Sequence, residues 1–166
     1  TKYLLFLLLM KKLLLVRHAE AEPYSAKGDF HRTLSSKGHN DVTALLLKLQ
    51  NEGISPEEII CSSALRTRTT ADILADGLGL HKPKVTEAIY EASERTLLRE
   101  VNHFSNAFDF IAMVGHNPGI AYLLLNLTGK VRDVPPCTAL TVVFEDADSW
   151  QEITHESGVI TWYTTP

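Results

Sequence analysis

The sequence predicts an α/β protein, a three-layer α/β/α sandwich around a mostly parallel central sheet. Three observations predict it. Short apolar runs alternate with longer stretches of 3.6-residue periodicity along most of the chain. Polar residues break those runs off abruptly at Arg17-His18, Ser62-Ser63 and His116-Asn117, the pattern of buried strands that stop at a polar site. The 166 residues, 45% hydrophobic and 22% charged, suffice for one soluble domain with a substantial core.

The elements follow in order. Residues 13–16 form an apolar run ending at Arg17, read as a buried parallel strand. Residues 22–34, with Pro23 and Gly28, read as a loop. Ser35 or Ser36 can cap a helix running to about Glu52; Val42, Leu45, Leu46 and Leu49 share one face, and Gly53 stops it. Residues 58–61 predict a second strand. A second helix starts at Ser62-Ser63, turns Ala71, Leu74, Ala75 and Leu78 inward, and closes at Gly77 and Gly79. Residues 85–90 behind Pro83 predict a third strand, and residues 94–106 a third helix. Residues 110–114 predict a fourth strand, ending at Gly115-His116. Asn117 and Pro118 occupy favoured N-cap and first-turn positions of a helix with Ile120, Leu123, Leu124 and Leu127 on its core face. Gly129 ends that helix, and Pro135-Pro136 marks a turn. Residues 139–145 predict a fifth strand, and residues 150–154 with 159–163 a terminal hairpin or edge. No repeat or linker interrupts residues 10–166, so one domain is expected there.

Net charge is −4, which argues against a nucleic-acid binder. An anionic substrate remains compatible, because a few local arginines can focus a positive field. Cys61 and Cys137 form no CxxC pair and no zinc-ligand spacing. Two buried thiols in a reducing cytoplasm are expected, with a disulfide between them as the alternative. Residues 1–9 form an apolar N-terminal extension of uncertain origin, with Met10 as a candidate start. Ala19-Glu20-Ala21 resembles a signal-peptidase site, but Lys11 and Lys12 interrupt the apolar run, so a cytoplasmic protein is expected. The run is also too short to span a bilayer, which takes about 20 apolar residues.

Neighbouring strands lie ~4.8 Å apart, so the three polar strand ends can converge on one small ligand. Arg17, Arg66, His18 and His116 together suggest a phosphate, since guanidinium forks match phosphate oxygens. A lone histidine is more often structural than catalytic, and Arg66 alone reads as a surface charge. The combined placement reverses those readings. His31, His39, His81, His103 and His155 lack it and are read as solvated or structural. Neither glycine cluster carries the lysine of a P-loop, so a nucleoside-triphosphate enzyme is not expected. No metal or other cofactor is suggested by ligand spacing.

These residues carry a resemblance. Leu15-Val16-Arg17-His18-Ala19-Glu20-Ala21 resembles the nucleophile motif of the histidine phosphatase superfamily, with Ala19 where glycine is commoner. The run from Cys61-Ser62-Ser63-Ala64-Leu65-Arg66 to Ala71 is similar to the family's second-arginine motif. Val114-Gly115-His116-Asn117-Pro118-Gly119 is similar to its second-histidine motif. Arg32-Thr33-Leu34-Ser35 through Gly38 matches the helix start between them. The resemblance spans roughly residues 12 to 145, in the family's motif order, and is closest to the SixA-type phosphohistidine phosphatases.

The resemblance implies a phosphoglycerate mutase-like fold and a metal-independent phosphatase. His18 would attack phosphorus and form a phosphohistidine intermediate that water hydrolyses. Arg17, Arg66 and His116 would stabilise charge on the phosphoryl oxygens, with Asn117 beside them as a phosphate-binding residue. Glu91 and Glu20 are the candidate proton donors, weighed evenly against being ordinary solvated carboxylates. A site without a strong acid fits a phosphoramidate better than a phosphate ester, since a protonated imidazole leaves more readily than an alkoxide. Residues 91 to 110 leave little chain for a lid, so an open, shallow pocket is expected. The leading expectation is a phosphatase acting on phosphohistidine of a partner protein of histidine-phosphotransfer type, without nucleic acid or membrane. Two alternatives stand: a phosphomonoesterase for a small phosphorylated substrate, and a catalytically silent phosphate- or protein-binding module.

Overall fold

The structure is a computed structural model that describes residues 10–166; the N-terminal extension at residues 1–9 lies outside them. Among the described residues six strands form one sheet in the order β3-β2-β4-β1-β5-β6. They are β1 (Lys11–Arg17), β2 (Glu58–Ser62), β3 (Lys84–Thr86), β4 (Phe110–Gly115), β5 (Ala139–Phe144) and β6 (Val159–Thr164). Strands β1 to β4 are parallel; β5 runs antiparallel to β1, and β6 antiparallel to β5. The helices are α1 (Ser36–Asn51), α2 (Leu65–Leu78), α3 (Glu94–Asn102) and α4 (Gly119–Thr128).

Side chains alternate across a strand, so β1 and β4 feed two separate cores. Leu14, Val16, Ala112 and Val114 meet Val42, Leu45 and Leu49 of α1 and Ala71, Leu74 and Ala75 of α2. Leu13, Leu15, Ile111 and Met113 meet Leu97 and Val101 of α3 and Ile120, Leu123, Leu124 and Leu127 of α4. Helices thus cover both faces, which is why the strands read as continuous apolar runs. The expected three-layer α/β fold is the observed one. Cys61 and Cys137 are buried free thiols, each pushed up to about 12 chiefly by burial. Among the described residues no helix is long and apolar enough to cross a membrane.

Several element boundaries differ from expectation. The third strand stops at Thr86, because the Thr86 hydroxyl accepts from Ala88 N at 3.2 Å and turns the chain into a 3-10 turn, Glu87–Ile89. The third helix ends at Asn102, whose amide instead donates to the carbonyls of Trp150 and Ile153. Residues 150–152 are a 3-10 turn rather than a strand, because Trp150 is wholly buried and its indole N–H donates to Phe108 O at 2.9 Å. Only β6 forms the expected terminal edge. Helix α2 begins at Leu65 rather than at Ser63, and α4 begins at Gly119 with Pro118, not Asn117, in the N-cap position. The Asn117 amide donates to Val134 O at 3.0 Å and caps nothing. The loop at residues 22–34 contains a 3-10 turn, Asp29–His31.

Strands β2, β4 and β1 are direct neighbours, and their C-terminal ends open on one side of the sheet. His18 N donates to Gly115 O at 3.0 Å, and Cys137 N donates to His18 O at 3.0 Å. The backbone at His18 is therefore fixed between β4 and the turn leading into β5.

Candidate active site

Arg17, His18, Arg66 and His116 line one cavity of about 790 Å³ at these strand ends. His18 is buried, and its Nδ1 lies 2.8 Å from Ala19 O. A carbonyl only accepts, so Nδ1 carries the proton. Arg66 Nε stands 3.3 Å from His18 Nε2, and a guanidinium only donates. Nε2 is therefore the unprotonated nitrogen, its lone pair accepting from Arg66 at the cavity wall. Burial pulls the His18 pKa down to about 4; the charges of Arg66, Arg17 and Arg32 add to this, and the Ala19 contact opposes it.

Ala19 explains why glycine is not needed at this motif position. Only its backbone is used: the carbonyl meets His18, and the N–H donates to Thr70 Oγ1 at 3.1 Å. Its methyl group packs into the core beneath α1 and α2.

His116 follows β4, with its ring centroid 5.2 Å from that of His18. Its Nδ1 lies 3.3 Å from Arg66 Nη2, so Nδ1 accepts and Nε2–H donates to Ser62 Oγ at 2.7 Å. Burial, then His18 and Arg66, pull its pKa down to about 3, against an opposing pull from Asp29. Both rings are thus neutral near neutral pH.

Arg66 lies in the first turn of α2, which Thr67 ties down by donating to the carbonyls of Ser62 and Ala64. The residue is 4% exposed. Arg17 Nη1 donates to Val134 O at 2.8 Å, while its Nε is buried with no hydrogen-bond partner among the described residues. Burial and the charge of Arg66 lower the Arg17 pKa, partly offset by Asp133. Guanidinium donors, a buried imidazole and a lone-pair nitrogen can together hold and attack a phosphoryl group.

The candidate proton donors line the same cavity but stand apart from this network. Glu20 accepts from Ser35 Oγ at 2.8 Å. Glu91 is exposed on the rim at a left-handed φ of 48°, with no side-chain hydrogen bond among the described residues. Asn117 lines the cavity; its Oδ1 is buried without a partner among the described residues.

Asp29 and Tyr90 were not singled out by the sequence. Asp29 ion-pairs with Arg66 and Arg32 and accepts from the Tyr90 hydroxyl. Slight burial opposes its ionisation, but Tyr90, Arg66 and Arg32 outweigh it and hold its carboxyl below the ordinary value. A carboxylate three residues before Arg32 was the only local signal. Ser62, read only as a strand end, orients His116. Among the described residues no group of three or more His, Cys, Asp or Glu is placed to hold a metal ion.

The family profile of the histidine phosphatase superfamily (branch 1) matches residues 13–102, and the chain belongs to that superfamily. Within it the fold is SixA-like. It is similar to a protein from Nakamurella multipartitia described as a phosphohistidine phosphatase SixA, at TM-score 0.80 and 20% identity over 95% of this chain and 96% of that one. It is also similar to the protein histidine phosphatase SixA complexed with tungstate, at TM-score 0.79 and 18% identity over 93% and 96%. A mycobacterial glucosyl-3-phosphoglycerate phosphatase matches at TM-score 0.66 and 14% identity over 92% and 97%. In sequence, the uncharacterized protein ML1117 of Mycobacterium leprae is 24% identical over 147 residues, 83% of this chain and 89% of the relative.

Proposed function

We propose that the chain is a phosphohistidine phosphatase that acts on a partner protein through a covalent intermediate on His18. One observation carries the reading. His18 Nε2 presents its lone pair beside Arg66 and His116, while Glu20 is engaged by Ser35 and Glu91 is exposed. Among the described residues the cavity thus holds a lone-pair nitrogen and N–H donors suited to a phosphoryl group, but no carboxylic acid in the apolar enclosure usual for a catalytic acid.

In the first step the His18 Nε2–P bond forms as the bond from phosphorus to the substrate imidazole breaks. The electron pair goes to that imidazole, which leaves neutral if its other nitrogen carries a proton. Arg17, Arg66 and His116 face the charge on the phosphoryl oxygens. Water then attacks phosphorus and releases phosphate, restoring His18. The likeness of the fold to SixA proteins supports the substrate class.

A phosphomonoesterase for small substrates is the second reading. Glu91 and Glu94 line the cavity, and the glucosyl-3-phosphoglycerate phosphatase shares the fold. The two separate in a panel of a phosphohistidine peptide, a phosphoserine peptide and 3-phosphoglycerate, run with a chelator present. The proposed function predicts phosphohistidine turnover faster by about tenfold or more, with Glu91→Gln within about threefold of wild type. Faster phosphomonoester turnover that Glu91→Gln abolishes would overturn it.

A further inference from the structure

We propose that Asp29 is the positioning residue of the phosphoryl clamp, gripping the outer edge of the Arg66 guanidinium so that its inner edge faces His18 and His116. The inference rests on reading the cavity as a phosphoryl site. It concerns how that site is held rather than which leaving group it accepts.

Arg66 offers five N–H donors in a rigid fork. On the inner edge Nε stands 3.3 Å from His18 Nε2, and Nη2 stands 3.3 Å from His116 Nδ1. On the outer edge Nη1 donates to Asp29 O at 2.9 Å, and Nη2 to Asp29 Oδ2 at 3.1 Å. The outer contacts are shorter, and one is made to a carboxylate, so they decide how the guanidinium lies. The inner contacts are long and made to neutral imidazoles. Phosphoryl oxygens can replace them without disturbing the outer pair.

Asp29 is itself held. Arg32 Nε donates to Oδ1 at 2.9 Å, and the Tyr90 hydroxyl donates to Oδ2 at 2.9 Å. The Tyr90 ring packs edgewise on His116, 5.6 Å between centroids, and on Phe30 at 5.4 Å. The turn at Asp29–His31, helix α2 and the segment before α3 thus meet at one carboxylate. An ion pair with a half-exposed carboxylate contributes little by itself. Here the guanidinium is almost wholly buried and gripped at two points, so the contact acts on orientation.

The opposite arrangement has the opposite sign. If Asp29 merely blocked the site, its carboxylate would compete with phosphate for Arg66, and removing its charge would tighten anion binding. Calorimetric titration of inorganic phosphate into wild-type protein, Asp29→Asn and Asp29→Glu decides between them and needs no substrate. The positioning role predicts phosphate binding weakened about tenfold in Asp29→Asn, kcat lowered with it, and partial recovery in Asp29→Glu. Tyr90→Phe, which frees the carboxylate without removing it, should move both values the same way by a smaller factor. Asp29→Asn binding phosphate as tightly as wild type, or more tightly, would overturn the inference. Wild-type protein that binds phosphate but leaves phosphohistidine intact would overturn the proposed function alone.

Discussion

A histidine enclosed by arginines stays uncharged where an ordinary histidine would begin to protonate. His18 and His116 are both pulled well below the usual imidazole value, first by burial and then by neighbouring groups. The proposed nucleophile, His18, is therefore uncharged across the whole neutral range. In an NMR titration of the imidazole Cε1–H signals, the His18 and His116 resonances should hold still between pH 7.5 and pH 5 and move only near about 4 and about 3. Midpoints near the ordinary value of about 6.5 would contradict the burial argument. At this scale the sequence was most informative about Arg17, His18, Arg66 and His116, because each ends or closely follows an apolar run. Asp29 escaped it for a physical reason. Its partners Arg66 and Tyr90 lie 37 and 61 residues away along the chain, and only folding brings them together.

Helix α1 shows how an element serves the site without lining the cavity. Ser35 caps it by accepting from Gly38 N at 3.0 Å, and Ser35 N donates to Glu20 O at 2.9 Å. The helix start is thereby moored two residues beyond His18. Gly38 lies against the Glu20 carbonyl so closely that a β-carbon there would collide with it. Replacing a helical glycine with alanine ordinarily stabilises a protein by about 0.5–1 kcal/mol. Gly38→Ala should instead destabilise this one by about 1–3 kcal/mol, measured by urea unfolding, because the obstacle is backbone rather than a flexible side chain. A more stable variant would show that the contact gives way. The periodic helices were legible because one apolar face repeats over several turns. The stretches at residues 85–90 and 150–154 were not, because Thr86 turns the chain with its own hydroxyl and Trp150 is placed by tertiary burial.

At the scale of the whole molecule, the sheet order brings β2, β4 and β1 side by side and so gathers three distant motifs. Alternating strands and helices announced the layered fold, but nothing local in residues 139–144 announced that β5 runs antiparallel. The gathered site also leaves a mark on stability. His18 and His116 resist protonation in the folded protein, whereas the unfolded chain takes up protons below about pH 6.5. Stability should therefore fall as pH drops from about 6.5 toward 4, by at most about 1.4 kcal/mol per pH unit for each histidine. A His18→Gln, His116→Gln variant should show a shallower loss between pH 6.5 and pH 5 in urea unfolding. An identical slope would mean that these two histidines are not the groups held neutral.

In the proposed mechanism, phosphate passes through His18. Wild-type protein mixed with a radiolabelled phosphohistidine substrate and quenched in alkali should carry acid-labile label on the peptide containing His18, and His18→Ala should show neither label nor turnover. Label on another residue, or undiminished turnover in His18→Ala, would contradict it.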